Sequence, residues 1–253
     1  MVVNKSAFAS IAVLCALAWA YLAYVASTGM AAMPEMPDMP GMAMPMVYAW
    51  SAVDFAAMFL MWAAMMVAMM LPSVTPMVML YGRVNVQRAA QGRPQQSTWP
   101  FVAGYLLAWA GFSLIATFGN WALHSQGLLS SMMGKATPLV AGILLAIAGI
   151  YQWTPLKNTC LAHCRTPVGF LSDHWREGRL GAVRMGLHHG AYCVGCCWLL
   201  MTLLFVLGVM NIAWIVVLTA FVLAEKTVPF GKLLSRVAGA LMLAWGVWLA
   251  VTT

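Results

Sequence analysis

Long apolar stretches with almost no charged residues recur along the chain, separated by shorter polar segments. Each is close to the roughly 20 residues that cross a hydrocarbon core as a helix, and none has the short alternating pattern of an outer-membrane barrel strand. We therefore predict an all-α fold, a polytopic transmembrane helix bundle. The seven predicted spans lie near residues 7–27, 50–71, 99–122, 136–154, 185–209, 212–225 and 233–252, and the sixth is the shortest.

Composition and charge agree with this prediction and orient the bundle. Of the 253 residues, 63% are hydrophobic and 8% are charged, against about 25% charged in soluble proteins. Basic residues concentrate in cytoplasmic loops, and twelve of the thirteen lie on one predicted side, with only Lys135 on the other. We predict a multi-pass protein of a bacterial inner membrane, with a cytoplasmic N-terminus and an external C-terminus. Basic loops facing anionic lipid explain the net charge of +7 without a nucleic-acid partner.

The chain divides into a first transmembrane helix at residues 1–28, an external Met/Pro-rich tract at 29–48 and the remaining bundle at 49–253. The first apolar segment is longer than the core of a typical signal peptide. Regularly spaced prolines keep the tract extended. Thioethers bind Cu(I) without forming disulfides, so we interpret the tract as a copper-capture segment, with a simple linker as the alternative. Its candidate ligands are Met33, Met36, Met39, Met42, Met44 and Met46.

The second span carries further methionines at helical spacing. Met58, Met61, Met65 and Met69 share one helix face, and Met66 and Met70 form an adjacent stripe. Such stripes are typical of core packing as well as of a metal path, since methionine fills gaps between helices. Asp54 lies one turn before the first stripe, and an ionisable residue inside a span indicates a pathway or a buried partner. Pro72 and Pro76 predict a kink at the cytoplasmic end.

Cysteine and histidine concentrate on the predicted cytoplasmic side. The candidate ligands are Cys160, His163 and Cys164 between spans 4 and 5, and His188, His189, Cys193, Cys196 and Cys197 at the start of span 5. If span 5 is helical, His189, Cys193 and Cys196 or Cys197 share a face. We expect free thiols that bind Cu(I) or Zn(II), with packing as the alternative.

Other titratable residues have simpler interpretations. Cys15 is alone in span 1 and is expected to pack, while His124 and His174 are expected to be interfacial. Glu225 is next to Lys226, where two interpretations remain open: an ordinary ion pair, or an acidic ligand or proton acceptor beneath the cluster.

Two blocks of sequence resemble a known family. The first is MWAAMMVAMMLPSVTPMV at 61–78, and the second comprises YQWTPLKNTCLAHCRTPVGFL at 151–171, GAVRMGLHHGAYCVGCCWLLM at 181–201 and the Glu225-Lys226 pair. Over roughly residues 50–253 the chain is similar to the bacterial predicted metal-binding integral membrane proteins known as domain of unknown function 2182. The resemblance implies a metal without specifying which, and the Met/Pro tract lies outside it.

Together these features predict a protein that handles copper in the membrane rather than an enzyme. The tract would capture Cu(I), the membrane methionines would hold or pass it, and the Cys/His cluster would receive it. Zinc or iron is the alternative metal, and a periplasmic metal chaperone or other membrane subunits are the expected partners besides lipid. Two other classes remain open: a membrane metalloenzyme or thiol oxidoreductase using Cys193 and Cys196, and an accessory metal-binding subunit of a larger membrane complex.

Overall fold

The structure, a computed structural model, describes residues 2–31, 49–94, 96–129 and 136–252. The methionines of the Met/Pro tract that are candidate ligands, and also Lys135, lie outside the described residues. The described residues form ten helices and no strand, which confirms the all-α fold. The helices are α1 (Val2–Ala31), α2 (Ala52–Ala90), α3 (Trp99–Ser125), α4 (Pro138–Tyr151), α5 (Pro155–Arg165), α6 (Pro167–His174), α7 (Gly178–Thr202), α8 (Leu204–Leu207), α9 (Ile212–Thr227) and α10 (Gly231–Thr252).

Five segments of the described chain are long and apolar enough to cross a membrane: Phe8–Thr28, Ala52–Ala90, Trp99–Ser125, Gly178–Leu207 and Gly231–Thr252. The pair α4 and α5, bent by 66° at its break, would make a sixth. Seven spans were predicted, and with the bent pair counted as one span the remaining difference lies in α9. Its 16 residues extend only about 24 Å, which is less than the roughly 30 Å of a hydrocarbon core.

Helix α2 is much longer than the predicted second span. Its 39 residues extend roughly 58 Å, and it continues as one helix through Pro72 and Pro76. Proline has no N–H, so Pro72 leaves the carbonyl of Ala68 without its usual helical donor. The thiol of Cys15 on α1 donates to that carbonyl at 3.6 Å. Cys15, expected only to pack, therefore also satisfies a polar group that the proline leaves free.

Glycine residues allow α3 and α7 to pack in close contact. A Cβ added to Gly104 would lie 2.8 Å from the backbone nitrogen of Leu187, and one added to Gly190 would lie 3.1 Å from the carbonyl oxygen of Tyr105. Both distances are shorter than normal packing contacts, so any larger residue would push the two helices apart. This contact brings Tyr105 against the middle of α7.

The bent connection from α4 to α5 is fixed by polar contacts. The Thr154 hydroxyl caps α5 by accepting from the backbone N–H of Lys157 at 3.3 Å. At the other end of α5, the Arg165 guanidinium donates to the carbonyl oxygens of Glu225 at 2.8 Å and Val228 at 2.7 Å. Both carbonyls are at the C-terminal end of α9, where no N–H of the helix is available to donate to them. Helix α5 is thereby held beside α7 and α9.

Candidate metal centre

Both methionine stripes of α2 face the interior of the bundle. None of their six side chains is more than 4% exposed, and those of Met65 and Met70 are fully buried. Helix α2 packs against α1, α3 and α9. The six methionines, called the methionine column below, are therefore buried along the first half of α2 inside the bundle.

The two cysteine-containing segments meet between α5 and α7. The sulfur atoms of Cys164 and Cys196 lie 4.0 Å apart, and the thiol of Cys160 packs against the backbone of Gly195. Cys196 and Cys197 each donate a thiol hydrogen to the Cys193 carbonyl oxygen, at 3.1 Å and 2.9 Å. All six cysteines of the chain are free thiols. Packing of α5 on α7 thus brings together two cysteine-containing segments that are distant in the sequence.

Cys193 lies at the middle of this group and is 1% exposed. Its carbonyl oxygen accepts from the thiols of Cys196 and Cys197, and the Cys196 sulfur lies 4.0 Å from that of Cys164. The Lys226 ammonium of α9 lies 3.0 Å from the Cys193 sulfur and also donates to the Ser73 hydroxyl at 3.0 Å. Lysine thus supplies a positive charge beside the thiol, and the thiolate is the form of cysteine that binds metals.

Tyr105 connects the cysteine group to the methionine column. Its hydroxyl lies 3.1 Å from the Cys193 sulfur and 3.2 Å from the carbonyl oxygen of Met70, the last methionine of the second stripe. The Tyr105 side chain therefore lies between the Cys193 sulfur and the backbone of α2 at Met70. Sequence reasoning missed Tyr105, which belongs to no motif or periodic pattern, and it named Lys226 only as a possible ion-pair partner of Glu225, not as a neighbour of Cys193.

His189 is on the same face of α7 as Cys193, one turn earlier, as the helical spacing predicts. Its ring is 3% exposed, and its Nδ1 has no hydrogen-bond partner among the described residues. A buried polar atom normally has a partner, so an unpartnered imidazole nitrogen beside a thiol needs an explanation. A soft metal ion would provide one, because nitrogen and sulfur are both ligands that copper accepts.

Two predicted site residues lie outside this group and have local roles. Asp54 forms a capping box with Ser51 at the start of α2: its carboxylate accepts from the Ser51 backbone N–H at 2.8 Å, and its own N–H donates to the Ser51 hydroxyl at 3.3 Å. Glu225 does not pair with its neighbour Lys226. Its carboxylate instead lies 2.7 Å from the ammonium of Lys157, in a pair that is almost fully buried.

His174, expected from the sequence to be interfacial, is partly exposed at the end of α6, and its ring centre lies 4.6 Å from that of His188 on α7. His163 on α5 stacks on Tyr192 at 4.2 Å. His174, which was not a candidate ligand in the sequence, therefore lies beside His188, which was one.

Among the described residues, no three or more His, Cys, Asp or Glu side chains are arranged to hold a metal ion as they stand. The thiols of Cys196 and Cys197 are turned towards a helix carbonyl, and rotation about one side-chain bond would release them. Thiols freed in this way are soft donors of the kind that bind Cu(I) or Zn(II).

Comparison with known proteins gives one match. A protein-family model described as PpoB2, copper chaperone, matches residues 59–249. No curated protein and no solved structure matches the chain significantly. The matched region contains both halves of the cysteine group and most of the methionine column, whereas the Met/Pro tract precedes it. The expected association with copper is thus confirmed at the level of the family.

Proposed function

The chain belongs to the copper chaperone family PpoB2, and we propose that it carries Cu(I) within a bacterial inner membrane. The ion enters from the external Met/Pro tract, follows the buried methionines of α2 and is received by the Cys193 group on the cytoplasmic side. His189 completes the receiving site as a nitrogen ligand. Metal moves by exchange between ligands, and the apolar surfaces of α1 and α10 face lipid.

One observation carries this proposal: the hydroxyl of Tyr105 contacts both the Met70 carbonyl at 3.2 Å and the Cys193 sulfur at 3.1 Å. If the methionine column ended among residues that cannot bind a metal, it would indicate only a structural role in core packing. Here a single hydroxyl links Cys193 to the backbone of α2 at Met70, the last methionine of the second stripe. Thioethers bind Cu(I) weakly and thiolates bind it strongly, so an ion on the column moves towards Cys193.

The external tract supplies the first contact in this scheme. Its thioethers remain reduced outside the cytoplasm, and the carboxylates of Glu35 and Asp38 add a negative charge that attracts cations. Closing a flexible segment around an ion costs ordering entropy, so the tract exchanges metal readily rather than retaining it. This makes it suited to capture at low copper concentration.

The test is the copper content of the purified full chain after loading with Cu(I) and desalting. Cys193→Ser and Cys164→Ser should each lose most of the retained copper, because each removes a central sulfur ligand. Cys15→Ser is the matched control: the same substitution occurs on another helix, and the serine hydroxyl can still donate to the Ala68 carbonyl. It should retain copper as the unchanged chain does.

Two outcomes would contradict the proposal. Loss of stability in Cys193→Ser with unchanged copper per folded chain would mean that the thiols only pack, as in an accessory subunit. Zinc or iron in place of copper, in protein purified without added metal, would mean that the cargo is a different ion.

A second candidate, thiol oxidation and reduction at Cys193 and Cys196, is favoured only by the Lys226 charge beside Cys193. Burial opposes it, since the two residues are 1% and 2% exposed and a protein disulfide partner needs access to the sulfur. A mixed disulfide trapped with Cys196→Ser would favour this function over copper transfer.

A further inference from the structure

Three imidazole rings from three different helices gather beside the Cys193 group. His163 of α5 stacks on Tyr192 with ring centres 4.2 Å apart and planes 5° apart. His188 of α7 lies 4.9 Å from the same tyrosine ring. His174 of α6 lies 4.6 Å from His188, with the two planes at 74°. Helices α5, α6 and α7 therefore bring these rings together, His163 and His188 against Tyr192 and His174 against His188.

Hydrogen bonding prepares two of these rings to bind a metal. Nδ1 of His163 lies 2.9 Å from the Thr159 carbonyl oxygen, and Nδ1 of His174 lies 3.2 Å from the Phe170 carbonyl oxygen. A carbonyl oxygen only accepts, so in both neutral rings the hydrogen is on Nδ1 and the lone pair is on Nε2. Metal-binding histidines commonly have this arrangement, in which a backbone carbonyl fixes the tautomer and the ring orientation.

The rings also differ from the cysteine group in exposure. His188 is exposed, and His163 and His174 are partly exposed, whereas Cys193 and His189 are buried. With metal–nitrogen distances of about 2 Å, two rings that share one ion have their centres roughly 4–6 Å apart. The 4.6 Å between His174 and His188 lies in this range. These nitrogens are therefore more accessible to water and to a partner protein than the buried thiols are.

We propose that His174 and His188, supported by His163, form a second copper site through which Cu(I) leaves the Cys193 group for a soluble acceptor. The inference rests on the proposed function, because it assigns the site from which the carried copper leaves the protein. Two imidazoles leave coordination positions open, and an acceptor can attach its own ligand before the histidines release the ion. Neutral nitrogen ligands hold Cu(I) less strongly than thiolates, which suits release rather than storage.

The experiment compares full chains in detergent, titrated with Cu(I) under reducing conditions against a competing chelator. The variants are His174→Ala, His188→Ala and His174→Phe, the last of which keeps an aromatic ring against Phe170 and removes both nitrogens. The matched control is His124→Ala, because His124 is about 28 Å further along α3 than Tyr105. X-ray absorption of the loaded samples distinguishes sulfur from nitrogen ligands.

The unchanged chain should bind a first equivalent through sulfur and a second, weaker one with nitrogen ligands. All three variants at His174 and His188 should weaken the second equivalent about tenfold or more, leaving the first intact. They should also slow transfer of copper to the chelator. His124→Ala should change neither equivalent.

The exit site would be overturned if the unchanged chain bound no second equivalent, or if every His174 and His188 variant bound it normally. Binding of the first equivalent through sulfur would still support the proposed function in either case. If the unchanged chain retains no copper through sulfur, the proposed function itself fails and the exit site fails with it.

Discussion

The Tyr105 hydroxyl and the Cys193 sulfur lie 3.1 Å apart although 88 positions separate them in the sequence. Close packing of α3 on α7 at Gly104 and Gly190 brings the two together. The same hydroxyl contacts the Met70 carbonyl, so a single side chain joins three helices at the point where the methionine column meets the cysteine group. Its removal tests the link between these two sets of sulfur ligands.

Tyr105→Phe removes the hydroxyl and keeps the ring. A hydrogen bond of this kind contributes about 0.5–1.5 kcal/mol, so copper retention at the Cys193 group should weaken roughly two- to tenfold. Tyr81→Phe is the control, because Tyr81 is also buried and its hydroxyl contacts Gln96 rather than a cysteine. Competition titration with a Cu(I) chelator measures both. Equal weakening in the two variants would mean that the effect is not specific to the cysteine group.

Gly104→Ala tests whether the α3–α7 contact assembles the site. The added methyl group would lie 2.8 Å from the Leu187 nitrogen and 2.9 Å from the Val183 carbonyl carbon, both of which are backbone atoms that cannot move aside alone. We expect a loss of about 1–3 kcal/mol in stability, with weaker copper retention. Gly111→Ala on the same helix meets nothing within 4 Å and should stabilise the chain by about 0.4–1 kcal/mol. Thermal unfolding in detergent measures the difference.

The buried pair of Lys157 and Glu225 should stabilise the fold without binding copper. Glu225→Gln leaves an uncompensated buried ammonium, so we expect a loss of about 3–5 kcal/mol. Glu177→Gln is the control, since Glu177 pairs with Arg88 at 2.6 Å but both side chains are substantially exposed, and its loss should cost about 0–1 kcal/mol. Copper per folded chain should stay unchanged in both. A specific loss of copper in Glu225→Gln would make Glu225 a ligand, the interpretation left open by its sequence.

Alkaline phosphatase fusions test the orientation, because the enzyme is active only outside the cytoplasm. A fusion after Gly41, in the Met/Pro tract, should be active, and a fusion after Gly92, in the turn that follows α2, should be inactive. A third fusion at the C-terminus should be active if α9 crosses the membrane despite its 16 residues. Activity after Gly92 would reverse the direction of copper movement, and an inactive C-terminal fusion would reduce the number of crossings to six.

The helical spans were predictable from sequence because their signal is local. Length and hydropathy identify an apolar helix whatever it packs against, and a 3.6-residue period puts the six methionines of α2 on adjoining faces without knowledge of the neighbours. Where packing between helices decides the local structure, the sequence was less informative. The helix α2 continues past Pro72, and Cys15 of another helix bonds to the carbonyl that this proline leaves free, a contact that the sequence did not predict.

The sequence by itself determined the fold class, the types of ligand available and the helix faces that carry them, since these depend on residues within a few turns of each other. Only the tertiary structure decided which of them meet. It put Tyr105 and Lys226 against Cys193, paired Glu225 with Lys157 and moved His174 beside His188. Each of these contacts depends on how one helix is rotated and seated against another. That is set by the sum of many non-local packing contacts, and no short segment of sequence records it.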